Sequence, residues 1–220
     1  MPKPGEISLA HYGVLFLDEI PEFKRETLEL LREPLEDGRI TISRVQSSYT
    51  YPSKFMLIAS MNPCPCGYYG SKEKECTCTI DQVNKYISKL SGPLIDRIDI
   101  HIEVQPVKFD DLSSNQEAES SEHIKQRVNK ARKIQLERYK NDNIYSNSEL
   151  TPDLIKKYCK LDEKAKNILK DAFNKLGLSA RAHDKVIKLA RTIADLEGSK
   201  DINFLHVAEA IQYRNLDRKI

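Results

Sequence analysis

Apolar positions fall into two patterns that divide the chain. In the first hundred residues they come as short runs. Gly13-Val14-Leu15-Phe16-Leu17 is continuous and stops abruptly at Asp18-Glu19, as a strand buried on both faces of a parallel sheet would. Phe55-Met56-Leu57-Ile58-Ala59 repeats the pattern and ends at Ser60-Met61-Asn62-Pro63. Between the two, Phe23, Leu28, Leu31 and Leu35 fit one helix stopped by Asp37-Gly38. Residues 39–45 then alternate with period two, and Ser48-Tyr49-Thr50-Tyr51 can return beside them, which predicts a hairpin. Ile98 to Val104 alternates as a further strand.

Beyond residue 120 the spacing is helical. Ile124, Val128, Ala131 and Ile134 share a face. Thr151-Pro152 reads as a cap followed by proline at the first helical position, and Asp162 opens a helix that ends at Gly177. Ser179 opens another that closes at Gly198, and Asn203 opens a last one through Val207 and Ile211. Residues 109–120 are polar, Ser/Glu-rich and without periodicity, so a boundary near residue 115 separates an α/β part (1–115) from a helical part (116–220).

Total charge is +2, from 35 basic and 33 acidic side chains, and names no partner. Its distribution does: residues 1–120 carry 13 basic against 19 acidic groups, and residues 121–220 carry 22 against 14. The helix from His123 to Lys140 holds seven Lys/Arg and one acid, which suits a phosphate backbone and equally suits a solvated face. No apolar run approaches the ~20 residues needed to cross a bilayer. No signal-type apolar region follows Met1, so a cytoplasmic protein without structural disulfides is expected.

Four apolar residues followed by Asp18-Glu19 have the form of a Walker B element: the first carboxylate holds Mg²⁺ and the second orients or deprotonates the attacking water. A strand ending in solvated acids has the same form. The second strand delivers Asn62 to the same end of the sheet, where α/β folds bind ligands and a neutral amide can position a water or phosphate. Cys64-Pro65-Cys66 and Cys76-Thr77-Cys78 bring four thiols into one Gly-containing loop, suited to structural zinc or to four free thiols. Cys159, near Leu154 and Ile155, reads as a buried small apolar residue.

The segments Pro4 to His11, Gly13 to Glu19, Leu35 to Arg39, Ser91 to Asp99, Leu178 to His183 and Gln212 to Arg218 resemble the magnesium-chelatase-like AAA+ ATPases, among them the ComM (YifB) type. The resemblance implies a partial P-loop NTPase core with an incomplete parallel sheet and a C-terminal α-helical lid. It makes Asp18 and Glu19 the Walker B pair, Asn62 sensor 1, Arg97 an arginine finger toward a neighbouring subunit and Arg181 sensor 2. Arg97 and Arg181 would then meet ATP phosphates and Asp18 Mg²⁺. Residues 39–51 resemble a pre-sensor-1 hairpin that presents Arg39 and Arg44 to DNA, with Lys130, Arg132 and Lys133 as a second candidate contact.

The implied function is ATP-driven movement on single-stranded or branched DNA by a ring, expected to be a hexamer. The alternatives are a magnesium-chelatase motor, a transcription-regulator ATPase and a non-catalytic binding fragment. One departure is large: Gly-x-x-x-x-Gly-Lys-Ser/Thr occurs nowhere. Of a family strand order 5-1-4-3-2 only strands 3, 4 and 5 are expected, which leaves an exposed sheet edge and weak or absent ATP binding.

Overall fold

The computed structural model describes residues 3–44, 47–105, 107 and 118–214. The chain divides into two compact units, residues 1–98 and 99–219, each with its own core.

The first unit runs α1 (Glu6–Leu9), β1 (Val14–Leu17), a 3₁₀ turn (Ile20–Glu22), α2 (Arg25–Glu29), α3 (Arg32–Asp37), β2 (Arg39–Arg44), β3 (Ser47–Pro52), β4 (Met56–Ala59), α4 (Ile80–Ile87) and α5 (Gly92–Ile95). β1 and β4 pair in parallel, from Val14 opposite Met56 to Leu17 opposite Ala59. This is the pairing expected of the two apolar runs. β2 and β3 form the expected antiparallel hairpin, with Arg39 opposite Pro52 and Ile42 opposite Tyr49. Ile20, Leu28, Val83, Tyr86, Leu94 and Ile95 make the core beneath.

Two expectations are corrected. The single helix expected over Phe23–Leu35 is two, broken at Leu30-Leu31. Pro34 is the cause: lacking an N–H, it cannot bond back to the carbonyl four residues earlier, so it is accommodated only in the first turn of a new helix. That helix ends where expected, at Gly38, whose φ of 65° lies in the left-handed region. The strand expected over Ile98–Val104 is absent. Its alternation is real, but a strand needs a ladder partner, and the His101 N–H donates instead to the Tyr213 carbonyl at 2.7 Å.

Among the described residues the β1/β4 sheet has two strands, so both are edges, and the large apolar side chains of one face are exposed: Val14, Phe16, Met56 and Ile58 at 55%, 58%, 61% and 44%. Large apolar side chains clustered on a surface mark a place meant for contact.

The second unit is helical: α6 (Ser121–Arg138), α7 (Pro152–Tyr158), α8 (Glu163–Leu176), α9 (Ala180–Glu197) and α10 (Phe204–Gln212). The last four starts have the expected caps: Thr151, Asp162, Ser179 and Asn203 accept from backbone N–H groups of the first turn. Gly177 and Gly198 close α8 and α9 in left-handed conformations. Tyr139, Leu169, Val186, Ala190, Ile202 and Val207 lead the core, and Cys159 joins it as expected, burial pushing its thiol up to about 11. An ionic cluster is buried alongside: Asp195 accepts from Arg138, from Arg191 Nε at 3.1 Å and from Asn147 at 2.9 Å. The units part between Ile98 and Asp99, where Asp99 pairs with Lys185 at 2.6 Å. Residues 108–117, most of the linker read around residue 115, lie outside the described residues.

Candidate functional site

Asp18 and Glu19 leave the C-terminal end of β1 beside the segment that leaves β4, because the parallel pairing brings both ends to one side of the sheet. Ser60 knits them together. Its N–H donates to the Leu17 carbonyl at 3.0 Å and its carbonyl accepts from Ile20 at 2.9 Å. Its hydroxyl donates to Asp18 Oδ1 and accepts from the Glu19 N–H, the latter at 3.2 Å. Asn62 Nδ2 reaches Glu19 Oε1 at 3.4 Å. The two acids and the amide therefore share one exposed cluster.

The backbone at Glu19 is left-handed, φ 50° and ψ 50°. For a non-glycine residue this costs about 1–3 kcal/mol, and it turns the carboxylate away from the strand axis toward Asn62. Ser60 had gone unassigned in the sequence because a serine after a strand carries no signal of its own. Only the parallel register shows that it faces Asp18.

Arg97 follows α5 and its guanidinium is occupied within this unit. Nε donates to the Arg32 carbonyl at 3.0 Å, Nη1 to the Pro93 carbonyl at 2.7 Å, and Nη2 to Glu36. Arg181 lies exposed in the first turn of α9, in the other unit.

The cysteines converge. Cys64 Sγ lies 3.4 Å from Cys66 Sγ and 3.7 Å from Cys76 Sγ, Cys66 lies 3.5 Å from Cys76, and all four sulfurs including Cys78 fall within 4.8 Å of one another. A tetrahedral Zn–S bond of about 2.3 Å implies sulfur separations of about 3.8 Å. The site thus fits a tetrathiolate metal. Its electrostatics agree: the Tyr68 backbone N–H, with help from Cys64, pulls the Cys66 thiol down to about 5. Cys76 is pushed up to about 12; the Cys78 N–H opposes the rise, but burial and the neighbouring sulfurs outweigh it. One thiolate forms readily and the next resist, which a central cation would reverse.

Arg39 begins β2 and is exposed; the side chain of Arg44 lies outside the described residues. Lys130, Arg132 and Lys133 are exposed on α6, Arg132 also reaching Gln135 at 3.0 Å. Arg138 on the same helix is turned inward by Asp195 and leaves the basic face. Among the described residues no helix is long and apolar enough to cross a membrane.

Comparison with known proteins covers nearly the whole chain. A family profile described as magnesium chelatase, subunit ChlI, matches residues 1–112, and one for the ChlI C-terminal region matches residues 118–214. The chain is 45% identical over 219 residues to competence protein ComM of Haemophilus influenzae and to the YifB proteins of Salmonella typhimurium and Escherichia coli. Those matches cover 99% of this chain and 42% of each relative, so the chain spans well under half of their length. A magnesium-chelatase subunit ChlI from Mesostigma viride is 28% identical over 110 residues, 50% of this chain and 24% of that protein.

Proposed function

The chain belongs to the magnesium chelatase ChlI family, and on that footing we propose that it supplies the hydrolytic and lid portions of a AAA+ ATPase of the ComM type that moves on single-stranded or branched DNA. The observation that carries this reading is the cluster of Asp18, Glu19, Ser60 and Asn62 at one end of the β1/β4 pair. Asp18, steadied by Ser60, holds Mg²⁺, which when bound neutralises charge on the phosphates. Glu19 takes up or orients the proton of the attacking water, and the Asn62 amide keeps that carboxylate aimed. Arg97 exchanges Glu36 for a neighbouring subunit's γ-phosphate, where a forked guanidinium answers the spreading charge. Arg181 does the same from the lid.

The four cysteines hold zinc as a structural ion. The exposed β1/β4 face receives the rest of the α/β core, and the ring is a hexamer of such modules. Arg39, Arg44 and the exposed face of α6 contact DNA. The ComM relative's name as a competence protein favours DNA over a porphyrin partner, as does 45% identity against 28% for the ChlI subunit.

The test combines the chain with a segment that supplies a phosphate-binding loop and measures ATP hydrolysis with and without forked DNA. DNA-stimulated turnover is expected, and Glu19→Gln is expected to lower kcat at least about a hundredfold while leaving ATP binding intact. Equal turnover in wild type and Glu19→Gln would reduce the Asp18-Glu19 pair to the polar end of a strand.

A further inference from the structure

The loop from Cys64 to Cys78 has little of its own to bury: among its side chains only Cys64 is buried, and Tyr69 is largely exposed. Yet one end of the loop enters the carboxylate cluster and the other seats a helix. Asn62 stands two residues before Cys64, and Thr79, directly after Cys78, caps α4 through a reciprocal pair with Gln82 at 3.2 and 2.9 Å. α4 then carries Tyr86 back to the cluster. Its buried phenol faces the Asn62 backbone N–H, with Glu22, Glu19 and Cys64 around it. Asn62 is therefore tied along the chain to Cys64, while α4, whose cap directly follows Cys78, carries Tyr86 into its neighbourhood.

We propose that a zinc ion on Cys64, Cys66, Cys76 and Cys78 acts as a positioning device that fixes Asn62 against Glu19. The proposal rests on the zinc reading above. The ion closes the loop, pins Cys64 and seats the first turn of α4; α4 in turn sets Tyr86 against the Asn62 backbone. Without the ion the loop has no apolar contents to keep its ends together, and the amide at 3.4 Å from Glu19 loses its anchor.

The test uses the ¹⁵N-labelled chain, zinc-loaded or stripped by chelator under reducing conditions, with zinc content and amide NMR read on the same samples. One zinc per chain is expected. Stripping is expected to shift or broaden the backbone and side-chain amide signals of Asn62. It should also speed exchange of the Val83 to Ile87 amides about tenfold or more, with α10 unchanged. Cys78→Ser, at a half-exposed position, reproduces the stripped pattern. Stoichiometric zinc whose removal perturbs only residues 64–78 overturns the positioning role and leaves the zinc site standing. Zinc absent after reconstitution, or iron in its place, overturns the zinc reading and the proposal with it.

Discussion

At Glu19 a charged side chain occupies a left-handed backbone that glycine would occupy more cheaply, and the hydroxyl of Ser60 accepts the strained residue's own N–H. The same hydroxyl donates to Asp18, so one small side chain sets both carboxylates. A hydrogen bond to a charged group contributes about 1.5–3 kcal/mol, so Ser60→Ala is expected to lower kcat of the assembled motor about ten- to a hundredfold. The unfolding free energy should fall by no more than about that same 1.5–3 kcal/mol, and KM for ATP should change little. A loss confined to KM would show that Ser60 serves binding rather than the placement of Glu19. Arg97 gives the complementary lesson: its guanidinium donates to Glu36 and to two carbonyls, 61, 65 and 4 residues away.

Among the elements, α6 departs most from an ordinary core helix. From Ser121 to Lys130 every residue is exposed, including Ile124 and Val128, and only Ala131 and Gln135 are buried. Apart from Arg138, which pairs with the buried Asp195, its charges lie on the solvent side and contribute little to folding. Charge reversal at Lys130, Arg132 and Lys133 is expected to leave the unfolding free energy within about 0.5 kcal/mol. It should also reduce the steepness with which DNA affinity falls with salt by about 2–3 units of slope. An unchanged slope assigns DNA contact elsewhere, the hairpin bearing Arg39 first. The hairpin, the capped helices and the turn at Gly38 were legible from sequence because each rests on neighbours a few residues apart. The break at Leu30-Leu31 was legible too, in Pro34, but helical spacing of Leu28, Leu31 and Leu35 continued across it and masked it.

For the molecule as a whole, the acidic α/β unit and the basic helical unit differ in what they complete. The helical unit closes a core around Val186 and Ala190, whereas among the described residues the sheet of the first unit leaves both edges and an apolar face uncovered. Its carboxylates lie at the ligand end of the sheet, but the sequence contains no Gly-x-x-x-x-Gly-Lys-Ser/Thr to cradle phosphates. Calorimetry on this chain alone is expected to find ATP affinity no tighter than a Kd of about 1 mM. A low micromolar Kd would mean that the phosphates have a seat formed by other residues.

The sequence by itself determined the apolar strand ending in Asp18-Glu19, the caps of the C-terminal helices and the gathering of four cysteines in one loop. Each depends on chain-local geometry, or on residue types that serve few other purposes. Tertiary structure alone decided that Ser60 joins the two carboxylates, that Glu36 holds Arg97, that Arg138 turns inward to Asp195, and that Ile98–Val104 forms no strand. In those cases the partner lies tens of residues away, and a hydrogen bond or a ladder exists only once folding has brought its second half into reach.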